Sequence, residues 1–307
     1  MSESDTAREP LVWRLRAIVG EDNVRADEPM SDHTTFKVGG PADLYVVPES
    51  ASEVRDVLLA CEEAGVDCFV LGRGSDLLVS DEGYRGVIVA VGDGLMGVSV
   101  DGTEMTCQAG VDLREASEMA CELGLSGLEF ACGIPGSVGG ACFMNAGAYG
   151  GCVADVLKCV RVLAPDGSMD VVEASELDMG YRKSRVASDG LIVLSATFGL
   201  ERGEPERIRA TMDDLMSRRE EKQPLDLPSA GSTFKRPEGH FAGKLIMDAG
   251  LQGYRVGGAE VSRKHAGFVV NVGGATASDV HAVIEHVQDE VERQFGVRLE
   301  PEVRFLG

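Results

Sequence analysis

The sequence predicts an α+β protein, and three observations carry that reading. Helical and strand-like apolar patterns alternate through most of its 307 residues. At about 150 residues per domain, this length suggests two domains. The stretch from Leu128 to Gly151 is rich in glycine yet apolar. That composition suits a backbone approaching something closely better than a solvated linker.

Ser50-Ala-Ser-Glu53 is a capping box opening a helix, with Val54, Val57, Leu58 and Cys61 at helical spacing and Gly65 as its left-handed stop. Cys68-Phe-Val-Leu71 reads as a short buried strand running into Gly72, and Gly86-Val-Ile-Val-Ala-Val91 as the next. Asp112 caps a second helix that Gly124 closes. From Pro205 a helix carries Ile208, Met212, Leu215 and Met216. A last helix follows Ser278, with Val280, Val283, Ile284, Val287, Val291 and Phe295 on one face and Gly296 at its end. Strand alternation in the C-terminal run puts Glu302, Arg304 and Leu306 on one face, opposite Val303 and Phe305. Arg202-Gly-Glu-Pro205 is charged and turn-prone, the expected hinge between two parts.

The formal charge of −22 repels polyanions, which argues against nucleic-acid and membrane-surface partners. A small anionic ligand is still allowed, because a local nest of backbone N–H groups can overrule the global field. The start from Met1 to Pro10 is polar and acidic, without a secretory pattern. The longest apolar runs are strand-sized, far short of the roughly 20 residues of a membrane helix. Eight cysteines contain no C-x-x-C pair. They are expected to be reduced and packed as small apolar residues in a cytoplasmic protein. His265, His281 and His286 lack metal-ligand company and read as structural or solvated. No metal site is expected.

Two glycine-rich segments point to a phosphate or a flat ring. Gly72-Arg73-Gly74-Ser75-Asp76 follows a strand and exposes consecutive N–H groups to an anion; alone it is equally an ordinary turn. It is neither a Walker A loop nor a dinucleotide fingerprint, because Leu77-Leu-Val-Ser80 continues as strand. In Gly133-Ile134-Pro135-Gly136-Ser137-Val138-Gly139-Gly140-Ala141, glycines remove side chains at three close positions and Pro135 holds Ile134 extended. Asn145, Gly147 and Ala148 follow.

These segments resemble the UDP-N-acetylenolpyruvoylglucosamine reductases, the second enzymes of bacterial peptidoglycan precursor synthesis. Gly133 to Ala148 resembles the family's flavin signature. Thr34-Thr35-Phe36-Lys37-Val38-Gly39-Gly40-Pro-Ala-Asp43 is similar to its first flavin loop, and Leu71 to Leu78 to its pyrophosphate loop. Tyr181-Arg182-Lys-Ser-Arg185, Ala230-Gly-Ser232-Thr-Phe-Lys235, Lys244-Leu-Ile246 and Leu299-Glu-Pro-Glu302-Val-Arg304 follow in the family's order. Asp76 replaces the family's usual Asn, and Gly267 stands where Asn is common. The link from Gly199 to Lys222 lacks the tyrosine-bearing loop of one subgroup, as in the shorter subtype.

The resemblance implies a vanillyl-alcohol-oxidase-like (PCMH-type) FAD-binding domain in two subdomains plus a C-terminal α+β substrate domain. Residues 1–92 would form the first FAD subdomain, joined by a C-terminal strand over 299–307. Residues 93–203 would form the second, and 204–298 the substrate domain. It also implies non-covalent FAD held by Thr35, Lys37, Gly39, the 72–77 loop including Leu77, and the 133–148 segment. NADPH would reduce the flavin, and flavin N5 would pass hydride to the enolpyruvyl group of a nucleotide sugar. Ser232 would supply the proton, Arg182 and Glu302 would stabilise the intermediate, and Tyr181 and Lys244 would hold substrate.

These residue types suit the chemistry. Hydride addition to an enolpyruvyl ether builds negative charge beside a carboxylate, which needs a fixed cation or donor. Arg182 brings a planar, always-charged fork, although its ordinary role would be a surface ion pair. A serine hydroxyl, commonly a partner of local backbone, can donate where water is excluded. Strand parity leaves Glu300 and Glu302 equal. Two rivals compete: an FAD-dependent sugar or lactone oxidase of the same fold, which has no need of Arg182, Ser232 and Glu302 together, and a non-catalytic nucleotide-binding regulator. The sequence sets no oligomeric state.

Overall fold

Ser50 is extended and its Oγ accepts from Glu53 N at 3.2 Å, so the helix Ala51–Ala64 starts at the expected N-cap, although the Glu53 carboxylate reaches back to Glu49 N rather than to Ser50 N. The helix ends on Gly65 at φ +65°. The strand Cys68–Leu71 has the expected bounds and pairs in parallel with Tyr84–Ala90, Cys68 opposite Val87. These details come from a computed structural model that describes residues 3–307, with side chains from residue 9 onward. Met1 and Ser2, part of the polar start, lie outside the described residues.

The chain forms two compact units. The first contains the chain through Ala26, Leu44–Arg73 and Gly86–Arg218; the second contains Asp27–Asp43, Gly74–Arg85 and Arg219–Gly307. In the first, an antiparallel sheet runs Met169–Glu173, Leu157–Leu163, Ile192–Gly199, Glu104–Gln108, Val98–Asp101. Its core joins Val160, Val162, Ala196 and Phe198 of that sheet with Leu113, Ala116, Val138 and Cys142 of two helices. A smaller sheet orders Val24–Pro29, Pro41–Val46, Tyr84–Ala90 and Cys68–Leu71, and the first three are strands on which the chain leaves or re-enters this unit.

The second unit has its own core. The helix Ala277–Phe295 buries Val280, Val283, Ile284, Val287 and Val291, the stripe the periodicity defines. They pack with Val261 and Val269 of the sheet Arg255–Val256, Ala259–Val261, Val269–Asn271, and with Phe36, Leu78, Leu299 and Val303. Leu77–Val79 pairs in parallel with the C-terminal strand Arg304–Leu306.

One element was not expected, and three expectations need correction. The helix Glu3–Val19 is new: Leu11, Leu15 and Val19 bury one stripe, but Pro10 interrupts the pattern in sequence. Residues 202–205 are no hinge. Glu201–Arg202 pairs with Leu125–Ser126, and Ile208 and Met212 of the helix Pro205–Lys222 pack on Cys121 and Cys132, so that helix belongs to the first unit through Arg218. Each compact unit is assembled from separate stretches of the chain. The last helix is capped by Thr276, with Ser278 inside it. Finally, the C-terminal strand starts at Arg304, so Val303 is buried while Phe305 is exposed, and simple alternation from Glu302 fails. No described helix is long and apolar enough to cross a membrane.

Candidate active site

In the first unit the strand Cys68–Leu71 delivers Gly72 against the cap of the next motif. A Cβ on Gly72 would lie 2.4 Å from Ser137 Oγ, and one on Gly92 2.2 Å from the Gly72 carbonyl oxygen. Ser137 caps the helix Val138–Met144, its Oγ accepting from Gly140 N at 3.3 Å. Glycine is needed at Gly139 for packing: its N–H donates to the Ala109 carbonyl, and a Cβ would lie 2.9 Å from Ala109 Cβ. Gly147 likewise accommodates Cys152. Gly140 and Pro135 are exposed, so the main chain there faces outward. The sequence reading found the close approaches but not that neighbouring protein atoms fill two of them.

Asn145 ends that helix at φ +47° and is buried. Its Nδ2 donates to the Gly180 carbonyl at 3.1 Å, and its Oδ1 accepts from Ala154 N at 2.9 Å. Gly180 and Lys183 exchange two backbone hydrogen bonds, so Tyr181 and Arg182 form a two-residue tip with Arg182 at φ +52°. Ser184 Oγ donates to the Phe143 carbonyl at 2.6 Å, a second tie between this turn and the helix. The guanidinium carbon of Arg182 lies 5.4 Å from the exposed Tyr181 ring. Thus the glycine segment and Tyr181-Arg182, some 35 residues apart, meet through Asn145.

In the second unit, Thr35 N donates to the Gly74 carbonyl at 3.1 Å, while Gly74 at φ +58° leaves no room for a Cβ, which would lie 2.0 Å from the His33 oxygen. A Cβ on Gly39, at φ +125°, would lie 2.8 Å from Val79 Cβ. Lys37 takes φ +55° and its N–H donates to the Thr34 carbonyl, closing a tight turn. The first flavin-like loop and the segment from Gly74 through Ser75, Asp76 and Leu77 therefore form one structure.

Ser232 follows Gly231, which sits at φ +74°, and is exposed. Its neighbour Thr233 accepts from Glu302 N at 2.8 Å through its carbonyl, and Phe234 bridges Pro301. Arg304 N donates to the Asp76 carbonyl at 3.1 Å. Both glutamates lie along this run, Lys235 N donating to the Glu300 carbonyl at 2.9 Å; they differ in burial, Glu300 being exposed with its carboxylate on Lys235 and Glu302 half-buried. Lys244 is exposed and bound to Asp248 at 2.7 Å, so its charge is partly neutralised in place. Reading the sequence missed Asn271, whose Nδ2 donates to the Phe36 carbonyl while its Oδ1 accepts from Gly273 N and Ala275 N. Asn271-Val-Gly-Gly274 carries the signal that finds it, an Asx turn before glycines.

The residues fit FAD on two counts. Arg73 Nε and Thr35 Oγ1 are buried without a hydrogen-bond partner, and both stand in loops that resemble flavin loops. Buried donors of this kind are costly unless a ligand satisfies them, and a diphosphate brings the acceptors.

Comparison with known proteins agrees. The pattern of the FAD binding domain family matches residues 42–173, and that of the C-terminal domain of UDP-N-acetylenolpyruvoylglucosamine reductase matches residues 223–306. The UDP-N-acetylenolpyruvoylglucosamine reductase of Clostridium beijerinckii is 50% identical over 287 residues, covering 94% of each chain. That of Clostridium perfringens is 51% identical over 293 residues, covering 95% of this chain and 96% of its own. The crystal structure of the Thermus caldophilus UDP-N-acetylenolpyruvylglucosamine reductase superposes with a TM-score of 0.79 at 36% identity, covering 91% of this chain and 97% of that one. Fold and loops together define an FAD-dependent oxidoreductase, built from an FAD-binding domain and a C-terminal α+β domain. Within that class, the chain belongs to the UDP-N-acetylenolpyruvoylglucosamine reductase family.

Proposed function

We propose that this enzyme uses NADPH to reduce UDP-N-acetylglucosamine enolpyruvate to UDP-N-acetylmuramate, in the cytoplasm and as a step of peptidoglycan precursor synthesis. The observation that carries the site assignment is the backbone pairing of Glu302 with Thr233, which ties one candidate acidic group to the segment of the candidate proton donor. When bound, FAD accepts hydride equivalents from NADPH and supplies them to the enolpyruvyl double bond.

The chain's own residues do the remaining work. Ser232 donates the proton to the carbon beside the ether oxygen; its exposure and the φ of Gly231 leave the hydroxyl free to reach a ligand. Arg182, carried on a turn fastened by Asn145 and Ser184, counters the negative charge that develops next to the substrate carboxylate. Glu302 assists as a fixed neighbour of the Ser232 segment. Thr35, Lys37, Gly39, the loop 72–77 and the segment 133–148 hold the non-covalent flavin. The unsatisfied Arg73 Nε and Thr35 Oγ1 are each a donor suited to a phosphate oxygen. Tyr181 and Lys244 bind the nucleotide sugar, and Lys244 must exchange Asp248 for the substrate's diphosphate. The three segments 1–92 with 299–307, 93–203 and 204–298 describe these duties, although the compact units divide the chain otherwise.

The test follows the flavin band anaerobically. NADPH is expected to bleach it, and the enolpyruvyl nucleotide to restore it. Ser232→Ala is expected to leave bleaching intact and slow recovery at least about 100-fold. Recovery at the wild-type rate in Ser232→Ala removes Ser232 from the reaction. No recovery in the wild type, with rapid reoxidation by O₂ and a sugar, favours the oxidase reading instead.

A further inference from the structure

His265 has no role in the reading above, yet a chain of hydrogen bonds runs from its ring to the Ser232 segment. Its Nδ1 accepts from Gly267 N at 3.2 Å. The Gly267 carbonyl accepts from Thr233 N at 2.8 Å, and the Thr233 carbonyl accepts from Glu302 N at 2.8 Å. Thr233 is fully buried, and its Oγ1 accepts from Val269 N at 3.0 Å, so the residue after Ser232 is held on three sides.

The imidazole is itself fixed. Ser262 Oγ accepts from His265 N at 3.2 Å, and the ring stands edge-on to Phe268 with centroids 4.9 Å apart. Glycines make room for it. A Cβ on Gly267 would lie 3.1 Å from the ring's Cε1, and one on Gly243 3.5 Å. An i to i+2 bond of this type copies an Asx turn, with imidazole nitrogen in place of a carboxamide oxygen.

We propose that His265 is a positioning residue for Ser232: its ring nitrogen holds the Gly267 N–H, and the Gly267 backbone so placed fixes Thr233 through its carbonyl and with it the serine hydroxyl. The proposal rests on the reading of Ser232 as proton donor. Burial pushes the His265 imidazole below its ordinary value, so it is neutral, and an acceptor at Nδ1, at neutral pH. Charged neighbours do not reverse this. Arg263 and Lys264 on its own turn are directed to Glu260 and to the Glu220 carbonyl, and Lys244 on the helix Ala242–Asp248 pairs with Asp248. Protonation makes Nδ1 a donor that faces the Gly267 donor, and the bond is lost.

The test uses the FAD-loaded enzyme, with His265→Asn and His265→Leu. Asn keeps an acceptor for the Gly267 amide but does not titrate; Leu removes the acceptor. The amide nitrogen shifts of Gly267, Thr233 and Glu302 are followed against pH beside the His265 ring signals. Recovery of the flavin band with the enolpyruvyl nucleotide is measured over the same range. In the wild type the three amides are expected to titrate with the ring, at a midpoint below about 6.5. His265→Asn is expected to lose that titration and the matching acid inflection of recovery, keeping its rate within about threefold at pH 8. His265→Leu is expected to slow recovery about tenfold at every pH, the size of one lost buried hydrogen bond, with NADPH bleaching unchanged. The proposal is overturned if the amides ignore the ring, or if His265→Asn keeps the inflection. Amides that follow the ring, combined with a wild-type rate in Ser232→Ala, overturn Ser232 as donor and the catalytic meaning of the chain with it.

Discussion

Asn145 shows how one side chain can carry both a turn and a site. It adopts a left-handed backbone at φ +47°, and its carboxamide spends one donor on Gly180 and its oxygen on Ala154. Asn145→Ala keeps the unfavourable dihedral at about 1–2 kcal/mol and leaves the half-buried Ala154 N–H without its acceptor, whereas the Gly180 carbonyl keeps its bond from Lys183 N. The expected loss is about 2–4 kcal/mol in urea unfolding. Asn145→Gly relieves the dihedral alone and is expected to recover about 1 kcal/mol of it. Equal stabilities for the two variants, both close to wild type, would sink this account. Much at this scale was legible in the residues: a glycine must be missing a side chain for a reason, and the reasons at Gly72, Gly74 and Gly39 are close contacts. What fills the gap was not legible. Gly139 makes way for Ala109 from a distant strand end, and no local pattern names such a partner. The different burial of Glu300 and Glu302 was not legible for the same reason, since it depends on a run of residues some 68 positions earlier.

Elements were easiest to read where their ends are closed locally. The helix Ala51–Ala64 has its Ser50 cap and its left-handed Gly65 where the sequence puts them, while the Glu53 carboxylate accepts from Glu49 N rather than from the Ser50 amide of a full box. The helix Ala277–Phe295 shows the limit. Thr276 and Asp279 form its local capping box, but a second carboxylate arrives from far away. Asp81 accepts from Ala277 N at 2.7 Å, from Ser278 N at 2.9 Å and from Ser278 Oγ at 2.6 Å. Burial alone raises the Asp81 carboxyl, but the hydrogen bonds from Ser278 and Ala277 outweigh it and hold it below its ordinary value. Asp279 is held low by the N–H groups of Thr276 and Gly258. A depressed folded value means stability present above the unfolded value, near 3.9, and lost as pH falls through the folded one. Asp81→Ala is therefore expected to cost about 1–2 kcal/mol at pH 7, and its deficit to shrink as pH drops below about 4. A deficit that is constant from pH 7 to 3 would mean the charge has no part in the cap.

For the whole molecule, the class was legible, whereas the way the chain weaves between compact units carries no local signal. Alternating periods gave α+β, and ordered motifs gave the family. Yet short segments, Asp27–Asp43 and Gly74–Arg85, leave one compact unit for the other, and each core is assembled from pieces distant in sequence. Hydrophobic period reports which face is buried, never against which segment. Net charge, by contrast, is a property of the sum and needs no topology. With 51 carboxylates against 29 cations, many cations already sit in exposed ion pairs, such as Arg14–Glu63, Arg209–Glu118, Arg218–Asp214 and Arg298 with Asp289 and Glu292. Salt has two opposite effects on such a surface. It weakens each exposed pair, worth about 0–1 kcal/mol, and it screens the repulsion among the surplus carboxylates. The surplus acts over longer distances than a contact pair, and raising salt from 0.1 to 1 M shortens the screening length from about 10 to about 3 Å. Repulsion therefore loses more than attraction does. Tm of the FAD-loaded enzyme is expected to rise by several degrees, roughly 1 kcal/mol or more, between 0.1 and 1 M KCl. Sucrose at matched osmolality separates screening from general surface exclusion, and a smaller rise is expected there. A Tm that falls with KCl would show instead that the exposed pairs outweigh the repulsion, and that the surplus charge is spread too thinly to oppose folding.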